Sequence, residues 1–124
     1  MSKPIISVDF DGVLHSYASG WKGPDKIPDP PFPGAMEWLQ VMLEHFRTEI
    51  FSSRSNMEGG IPAMVAWINK HAELHTGTAE WTSRLVYPTI KPPALVSIDD
   101  RAITFTGVWP TVEEIKAFKP WYKK

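Results

Sequence analysis

Three short runs of this sequence that have the composition of strands are each followed by acidic or hydroxyl side chains, and this pattern restricts the fold more than any other feature. The run at 5–8 leads into Asp9, the run at 48–51 into Ser52, and the run at 94–98 into Asp99. Stretches with apolar residues three and four positions apart, typical of amphipathic helices, lie between the runs. Strands that alternate with helices favour a parallel sheet with helices on its faces. Since ligands bind beyond the carboxyl ends of such strands, the sequence predicts an α/β domain with one polar site.

Five strands and three main helices are predicted along the chain. The strands are Ile5–Val8, Thr48–Phe51, Leu85–Tyr87, Ala94–Ile98 and Ile103–Phe105. One helix follows Pro33 and Gly34, a second starts around Gly60, and a third starts at Thr111, where Thr111 and Glu114 have the spacing of a capping box. Residues 1–124 are expected to form one domain without a large cap.

The segment 15–33 is too rich in proline for a helix interior or a central strand, with Pro24, Pro28, Pro30, Pro31 and Pro33. Long connections of this kind tend to be functional, and its aromatic residues favour an ordered flap.

The chain has no cysteine, which excludes disulfides, thiolate metal sites and cysteine nucleophiles. Its formal net charge of -1 gives no overall basic field for binding long nucleic acid. With neither a signal peptide nor a long apolar stretch in the sequence, we expect a cytoplasmic protein with no membrane partner.

Four acidic residues account for most of the predicted chemistry. Asp9 and Asp11 lie two positions apart just past the first strand, and Asp99 and Asp100 end another strand. Converging carboxylates repel one another unless a cation lies among them, and oxygen ligands favour a hard cation such as Mg²⁺. One carboxylate could then act as a nucleophile and another as a general acid and base.

Two further side chains fit the same chemistry. The hydroxyl of Ser52 could donate a hydrogen bond to a phosphoryl oxygen, and Lys91 could neutralise charge that develops during transfer. For the lysine role, Lys70 and Arg84 remain alternatives. For Ser52, the alternative is a loop hydroxyl that binds its own backbone.

The order of these motifs resembles that of the haloacid dehalogenase (HAD) superfamily. Asp9-Phe10-Asp11-Gly12-Val13-Leu14 resembles its first motif and Ile50-Phe51-Ser52 its second; Lys91 resembles its third-motif lysine and Ser97-Ile98-Asp99-Asp100 its fourth motif. The resemblance implies a Rossmann-like three-layer sandwich with a central parallel sheet of about five strands in the order 5-4-1-2-3.

The resemblance also implies roles for the acids. Asp9 would be the nucleophile that forms an aspartyl-phosphate, and Asp11 would protonate the leaving group and then activate water. Mg²⁺ would be held by Asp9, Asp99 and the backbone carbonyl of Asp11, with Asp100 as support. The implied activity is a Mg²⁺-dependent phosphomonoesterase.

Within the superfamily the chain looks like a capless member, with the flap beside the active site. Ser52-Ser53-Arg54 and Asp99-Asp100-Arg101 resemble the phosphatase half of polynucleotide kinase-phosphatases, and the flap resembles that of phage-encoded HAD hydrolases. This favours a phosphorylated small molecule, such as a nucleotide, or a nucleic-acid end as the substrate. The expected substrate-binding residues are Ser53, Arg54, His15 and Trp21.

Several alternatives remain open at the level of sequence. Trp21 could stack on a base or only anchor the flap, and Arg54 could form a structural ion pair instead of contacting substrate. The whole chain could be a catalytically silent nucleotide-binding or nucleic-acid-binding module with the same fold. It could also be a phosphotransferase, because transfer to another acceptor passes through the same intermediate as hydrolysis.

Overall fold

A parallel three-stranded sheet forms the centre of the protein, whose structure is a computed structural model that describes residues 3–123. The strands are β1 (Ile5–Val8), β2 (Arg47–Ile50) and β3 (Val96–Ile98), in the spatial order β2-β1-β3. Val8 lies opposite Ile50 on one side and Ile98 on the other. The three strands therefore end at the same level, and the residues that follow them meet at one edge of the sheet.

The central strand β1 is buried on both faces, as expected for a parallel sheet that helices cover. Ile6, Ser7 and Val8 are all buried. Helices α1 (Ala35–His45) and α2 (Gly60–Thr76) pack together and contribute Leu39, Leu43, Met64, Ile68 and Ala72 to the core. A short helix α3 (Val112–Lys116) starts at the predicted Thr111 cap and has no buried residue. Short 3₁₀ helices span Ser53–Asn56, Glu80–Arg84 and Trp121–Lys123.

The sheet has three strands instead of the expected five. Beside β2, the segment 85–87 contributes one parallel bridge, in which Val86 accepts a hydrogen bond from the amide of Ile50 (2.8 Å) and donates one to Thr48 (3.2 Å). Pro88 follows at once, and because proline has no N–H it cannot extend the ladder. The segment therefore occupies the predicted third position without forming a strand.

The predicted fifth strand, Ile103–Phe105, is not a strand. Its two apolar ends are 50% and 56% exposed, and within residues 3–123 its backbone makes no hydrogen bond to the sheet. A short apolar run forms a strand of a sheet only where another layer of the protein covers it. Helix α3 does not cover the segment 103–105, because none of its residues is buried. The coarse prediction of an α/β protein with a parallel sheet is confirmed.

The flap, residues 15–33, is an irregular excursion between β1 and α1 whose two ends are joined. Ser16 donates to the carbonyl of Pro30 (2.9 Å), and Phe32 donates to that of Leu14 (2.9 Å). The indole of Trp67 in α2 donates to the carbonyl of flap residue Asp29 (3.0 Å). These bonds hold the flap over the carboxyl end of β1.

In the part of the chain that the structure describes, no helix has the length and apolar composition required to span a bilayer.

Candidate functional site

The residues that follow the three strands open onto one cavity of about 110 Å³. The backbone amide of Asp9 donates to the carbonyl of Ile98 (2.9 Å), and that of Phe51 donates to the carbonyl of Val8 (3.1 Å). These bonds continue the sheet past the strand ends and fix the backbone of the site. Side chains predicted for the site line the cavity: Asp9, Asp11, Trp21, Ser52, Ser53 and Asp100.

Three carboxylates converge at this edge of the sheet. One oxygen from each of Asp9, Asp99 and Asp100 lies within 4.8 Å of the other two. Burial raises the pKa of Asp9 to about 8, together with the nearby carboxyl of Asp100 and the negative charge of Asp99. The Oδ1 atom of Asp100 is buried without a hydrogen-bond partner in the described structure. Crowded acids and an unpartnered buried oxygen fit a cation, which would supply the charge and the contact that these groups lack.

A glycine makes this convergence possible. Gly12 has a φ of 82°, in the left-handed region that favours glycine. A Cβ at this position would overlap the Oδ2 atom of Asp100 and would lie 2.7 Å from the Cε1 atom of Tyr122. Asp100 therefore packs directly against the backbone of the turn that carries Asp9 and Asp11.

Asp11 lies in a different environment from the three clustered acids. Its Oδ2 accepts a hydrogen bond from Nε of Arg54 (2.9 Å), and its Oδ1 accepts from Nη2 of Arg54 (3.1 Å) and from Nδ1 of His15 (2.8 Å). Burial raises the pKa of Asp11, but the hydrogen bonds from His15 and Arg54 and the Arg54 charge outweigh it, so the pKa lies below its usual value. The carboxyl of Asp11 is thus not part of the acidic cluster, and binding of the metal by its backbone carbonyl stays a prediction.

Arg54 and His15, both predicted to bind substrate, lie beneath Asp11 and do not line the cavity. Both side chains are fully buried. The backbone amide of Asp29 donates to Nε2 of His15 (3.2 Å), which assigns the ring proton to Nδ1 and makes His15 a donor to Asp11. The geometry therefore favours support of Asp11 as the role of both residues, and contact with substrate stays a prediction.

Ser52 fits both roles considered for it from the sequence, that of a loop hydroxyl bound to its own backbone and that of a donor in the site. Its hydroxyl oxygen accepts a hydrogen bond from the backbone amide of Arg54 (3.2 Å) and caps the 3₁₀ helix, and the same side chain lines the cavity. Its O–H hydrogen remains to be donated to a bound group. Trp21 likewise combines both expectations, because its ring covers the guanidinium of Arg54 at 4.6 Å and also lines the cavity.

Lys91 is the candidate cation that lies near the acids. It lines a neighbouring cavity of about 200 Å³ together with Asp9 and Asp99. Lys70 instead lines a separate cavity on α2 with Asp25, and Arg84 ends the 3₁₀ helix beyond it.

Three residues that line the cavity were not predicted as site residues from the sequence: Tyr17, Arg101 and Tyr122. The chain end returns to the first motif through Trp121, whose indole donates to the carbonyl of Gly12 (2.8 Å), 109 residues away. The guanidinium of Arg101 donates to the hydroxyl of Tyr122 (3.3 Å). Arg101 could have been chosen because it directly follows the acidic pair. No local signal marks Tyr122, which reaches the site only through the fold.

Comparisons with known proteins identify no relative of this chain. The chain matches no protein-family model, no curated protein and no solved structure. What bears on function is therefore the arrangement of the chain's own residues. Three acids fit a cation, and a fourth, Asp11, accepts hydrogen bonds from Arg54 and His15.

Proposed function

We propose that this chain is a Mg²⁺-dependent phosphomonoesterase of the HAD superfamily that acts through an aspartyl-phosphate. The observation that supports this most directly is the position of Asp9. It belongs to the cluster that fits a cation, and it opens onto the same cavity as Asp11 and Ser52. A nucleophile, an acid and base, and a hydrogen-bond donor thus surround one space. The order β2-β1-β3, with a bridge beyond β2, agrees with the central part of a Rossmann-like sheet in the order 5-4-1-2-3.

The reaction has two steps, each of which uses these side chains in turn. In the first, a carboxylate oxygen of Asp9 bonds to phosphorus, the bond from phosphorus to the ester oxygen breaks, and Asp11 gives that oxygen a proton. In the second, a water oxygen attacks the same phosphorus while Asp11 takes its proton, and the bond to Asp9 breaks. Inorganic phosphate leaves, and both aspartates return to their starting state.

Asp9, Asp99 and Asp100 are the residues that would hold Mg²⁺. When bound there, the cation would offset the charges of the nucleophile and the phosphate, which otherwise repel each other. Ser52 donates its hydroxyl hydrogen to a phosphoryl oxygen, and Lys91 contributes positive charge from the neighbouring cavity.

The proposed substrate is a nucleotide or the terminal phosphate of a nucleic acid. A cavity of about 110 Å³ accommodates a phosphoryl group but not a whole nucleoside, so the rest of the substrate must lie at the rim. Tyr17, Trp21 and Tyr122 place aromatic rings there, and bases stack on such rings. Arg101 adds an exposed cation that could contact a second phosphate.

The test is phosphate release from an aryl phosphate with and without Mg²⁺. We expect turnover by the wild type, its loss with a chelator, and its loss in Asp9→Asn, which keeps the shape of the side chain. Asp25→Asn is the matched control, because Asp25 is an exposed acid away from the cavity. Equal activity in Asp9→Asn and the wild type would reject Asp9 as the nucleophile. A panel of nucleoside monophosphates and of oligonucleotides with 3′ or 5′ phosphates then identifies the leaving group.

One observation favours a second candidate, a binding module without turnover. Asp11 is held by Arg54 and His15 in the form that has no proton to give. Such a protein would bind a phosphorylated nucleotide in the presence of Mg²⁺ and release no phosphate. A phosphotransferase would instead release less phosphate than alcohol product when an acceptor alcohol is added.

A further inference from the structure

Arg54 is the largest fully buried side chain among the described residues, and its guanidinium makes contacts on two sides. A buried guanidinium needs a charged partner and further acceptors, because leaving it unpaired costs several kcal/mol. Its charged partner here is Asp11, the proton donor of the proposed reaction. Its other acceptors are backbone carbonyls of the flap. One side chain therefore joins the catalytic acid to the loop above it.

The contact with Asp11 fixes the plane of the carboxyl group. Nε of Arg54 donates to Oδ2 and Nη2 donates to Oδ1, which is the two-point geometry that a guanidinium offers and a lysine ammonium does not. Nδ1 of His15 donates to Oδ1 as well. Oδ1 thus accepts two hydrogen bonds and Oδ2 only one. The less occupied oxygen, Oδ2, is the one available to exchange a proton with a group in the cavity.

The contact with the flap uses the remaining terminal nitrogen. Nη1 of Arg54 donates to the carbonyls of Gly23 (2.8 Å), Pro24 (3.0 Å) and Lys26 (3.2 Å). The ring of Trp21 covers the guanidinium at 4.6 Å, a cation–π contact. Residues 21–26 therefore surround Arg54 from the side opposite Asp11, and a displacement of this segment would change the position of the guanidinium.

We propose that Arg54 is a positioning residue that orients the Asp11 carboxylate for proton transfer and couples that orientation to the flap. This inference rests on the proposed function, in which Asp11 serves as acid and base. In this role Arg54 acts through Asp11. The substrate contact expected of Arg54 from the sequence stays a separate prediction.

The consequence is a dependence on the leaving group. An alkoxide needs a proton as it departs, whereas a nitrophenolate departs without one. If Arg54 orients Asp11, its loss should slow the first step much more for an alkyl phosphate than for a nitrophenyl phosphate. The second step, in which Asp11 activates water, is the same for both esters, so kcat/KM is the quantity to compare. If Arg54 only stabilises the fold, both esters should be affected alike.

The experiment compares Arg54→Lys with the wild type on 4-nitrophenyl phosphate and on glycerol 2-phosphate, with Mg²⁺ present. Lysine keeps the charge but not the two-point contact. We expect kcat/KM, which reports the transfer to Asp9 alone, to fall by about 10²-fold for the alkyl ester and to stay within about fivefold of wild type for the nitrophenyl ester. Arg47→Lys is the matched control, because the exposed Arg47 begins β2, at the end of the sheet away from the cavity, and we expect it to change neither rate.

A second comparison separates an effect through Asp11 from an effect on the fold. In an Asp11→Asn background, which has no acid to orient, Arg54→Lys should cause no further loss on the alkyl ester, because residues that act as a unit are not additive. An additional 10²-fold loss of kcat/KM there, or equal losses of kcat/KM on both esters in the single variant, would overturn the inference. If the wild type hydrolyses neither ester, the proposed function itself fails, and this inference fails with it.

Discussion

The burial of Asp9 beside two other carboxyl groups makes stability depend on pH in a way that one substitution should remove. The pKa of Asp9 is about 8 in the folded protein, against 3.8 for an unperturbed aspartate. Between these two values the folded state retains a proton that the unfolded state has released. The free energy of unfolding must therefore decrease as the pH rises from about 4 to about 8, because the folded state binds more protons there.

The size of the effect follows from the shift. Four pKa units at about 1.4 kcal/mol each set an upper bound of about 5.5 kcal/mol at pH 8. The true value is smaller, because Asp9 is only partly buried and because Asp99 is exposed to water that screens its charge. We expect about 2 kcal/mol between pH 5 and pH 8, which corresponds to a decrease in Tm of roughly 8 °C for a domain of this size.

Thermal unfolding of the metal-free protein at pH 5 and pH 8 measures this difference. Asp9→Asn removes the titrating group while keeping its shape, so we expect Tm at pH 8 to exceed that of the wild type and the decrease with pH to be largely lost. Asp25→Asn should retain the wild-type decrease. If Asp9→Asn loses as much stability from pH 5 to pH 8 as the wild type does, Asp9 is not the group whose titration lowers the stability.

Magnesium provides the complementary measurement on the same proteins. A cation that binds only the folded state at 100 times its Kd stabilises that state by about 2.7 kcal/mol. Because protons compete for the same oxygens, the increase in Tm should be larger at pH 8 than at pH 5. Asp9→Asn should show little increase at either pH. An equal increase in the wild type and the variant would place the cation elsewhere.

Three other substitutions test the support around the site. A Cβ at Gly60 would overlap the backbone carbonyl of Arg54, so we expect Gly60→Ala to destabilise the protein by about 2 kcal/mol in denaturant unfolding; a loss below about 0.5 kcal/mol would show that this contact relaxes freely. Ser52→Ala removes a helix cap and a donor to the phosphoryl group, so it should cost about 1 kcal/mol of stability and lower kcat about 10²-fold; unchanged kcat would leave Ser52 only the capping role. Lys91→Ala should lower kcat for an aryl phosphate at least tenfold and Lys70→Ala should not; the opposite result would exchange the two assignments.

The sequence was sufficient for the parts of the fold that local patterns determine. The runs that form β1, β2 and β3 were identified because short β-branched segments precede polar residues, and the same pattern placed Asp9, Ser52 and Asp100 at one edge of the sheet. The register of parallel strands then brings these residues together with no further information.

The edges of the sheet could not be predicted in the same way. Segment 85–87 and segment 103–105 look like strands by composition, but one stops at Pro88 and the other has no layer to cover it. Whether an apolar run becomes a strand depends on neighbours that are distant in sequence. The same limit applies to Tyr122, which reaches the cavity because Trp121 binds the turn at Gly12.

Arg54 shows a different kind of limit. Its place after Ser52 and Ser53 suggested a substrate contact, since an arginine near a phosphate site is most simply interpreted as a ligand. Its actual partners include three carbonyls of the flap, whose positions depend on an irregular, proline-rich path. Proline in that path removes backbone N–H groups and leaves carbonyls to be satisfied, and a buried guanidinium is the side chain with the most donors to satisfy them.

The two acids of the first motif share one turn but have opposite surroundings, and this difference supports their assignment to different roles. Burial and the neighbouring carboxyl groups raise the pKa of Asp9, whereas hydrogen bonds from His15 and Arg54 outweigh burial and lower the pKa of Asp11. Pairs of acids whose environments separate their pKa values are typical of catalytic sites. In the metal-free protein, however, the raised pKa of Asp9 favours a proton on that acid, and the proposed first step needs a proton on Asp11. A cation among the clustered acids favours ionised Asp9, and a phosphate monoester beside Asp11 opposes its negative charge and favours its protonation. Cation and substrate together would therefore move the two acids toward the protonation states that the reaction requires, whereas neither alone changes both.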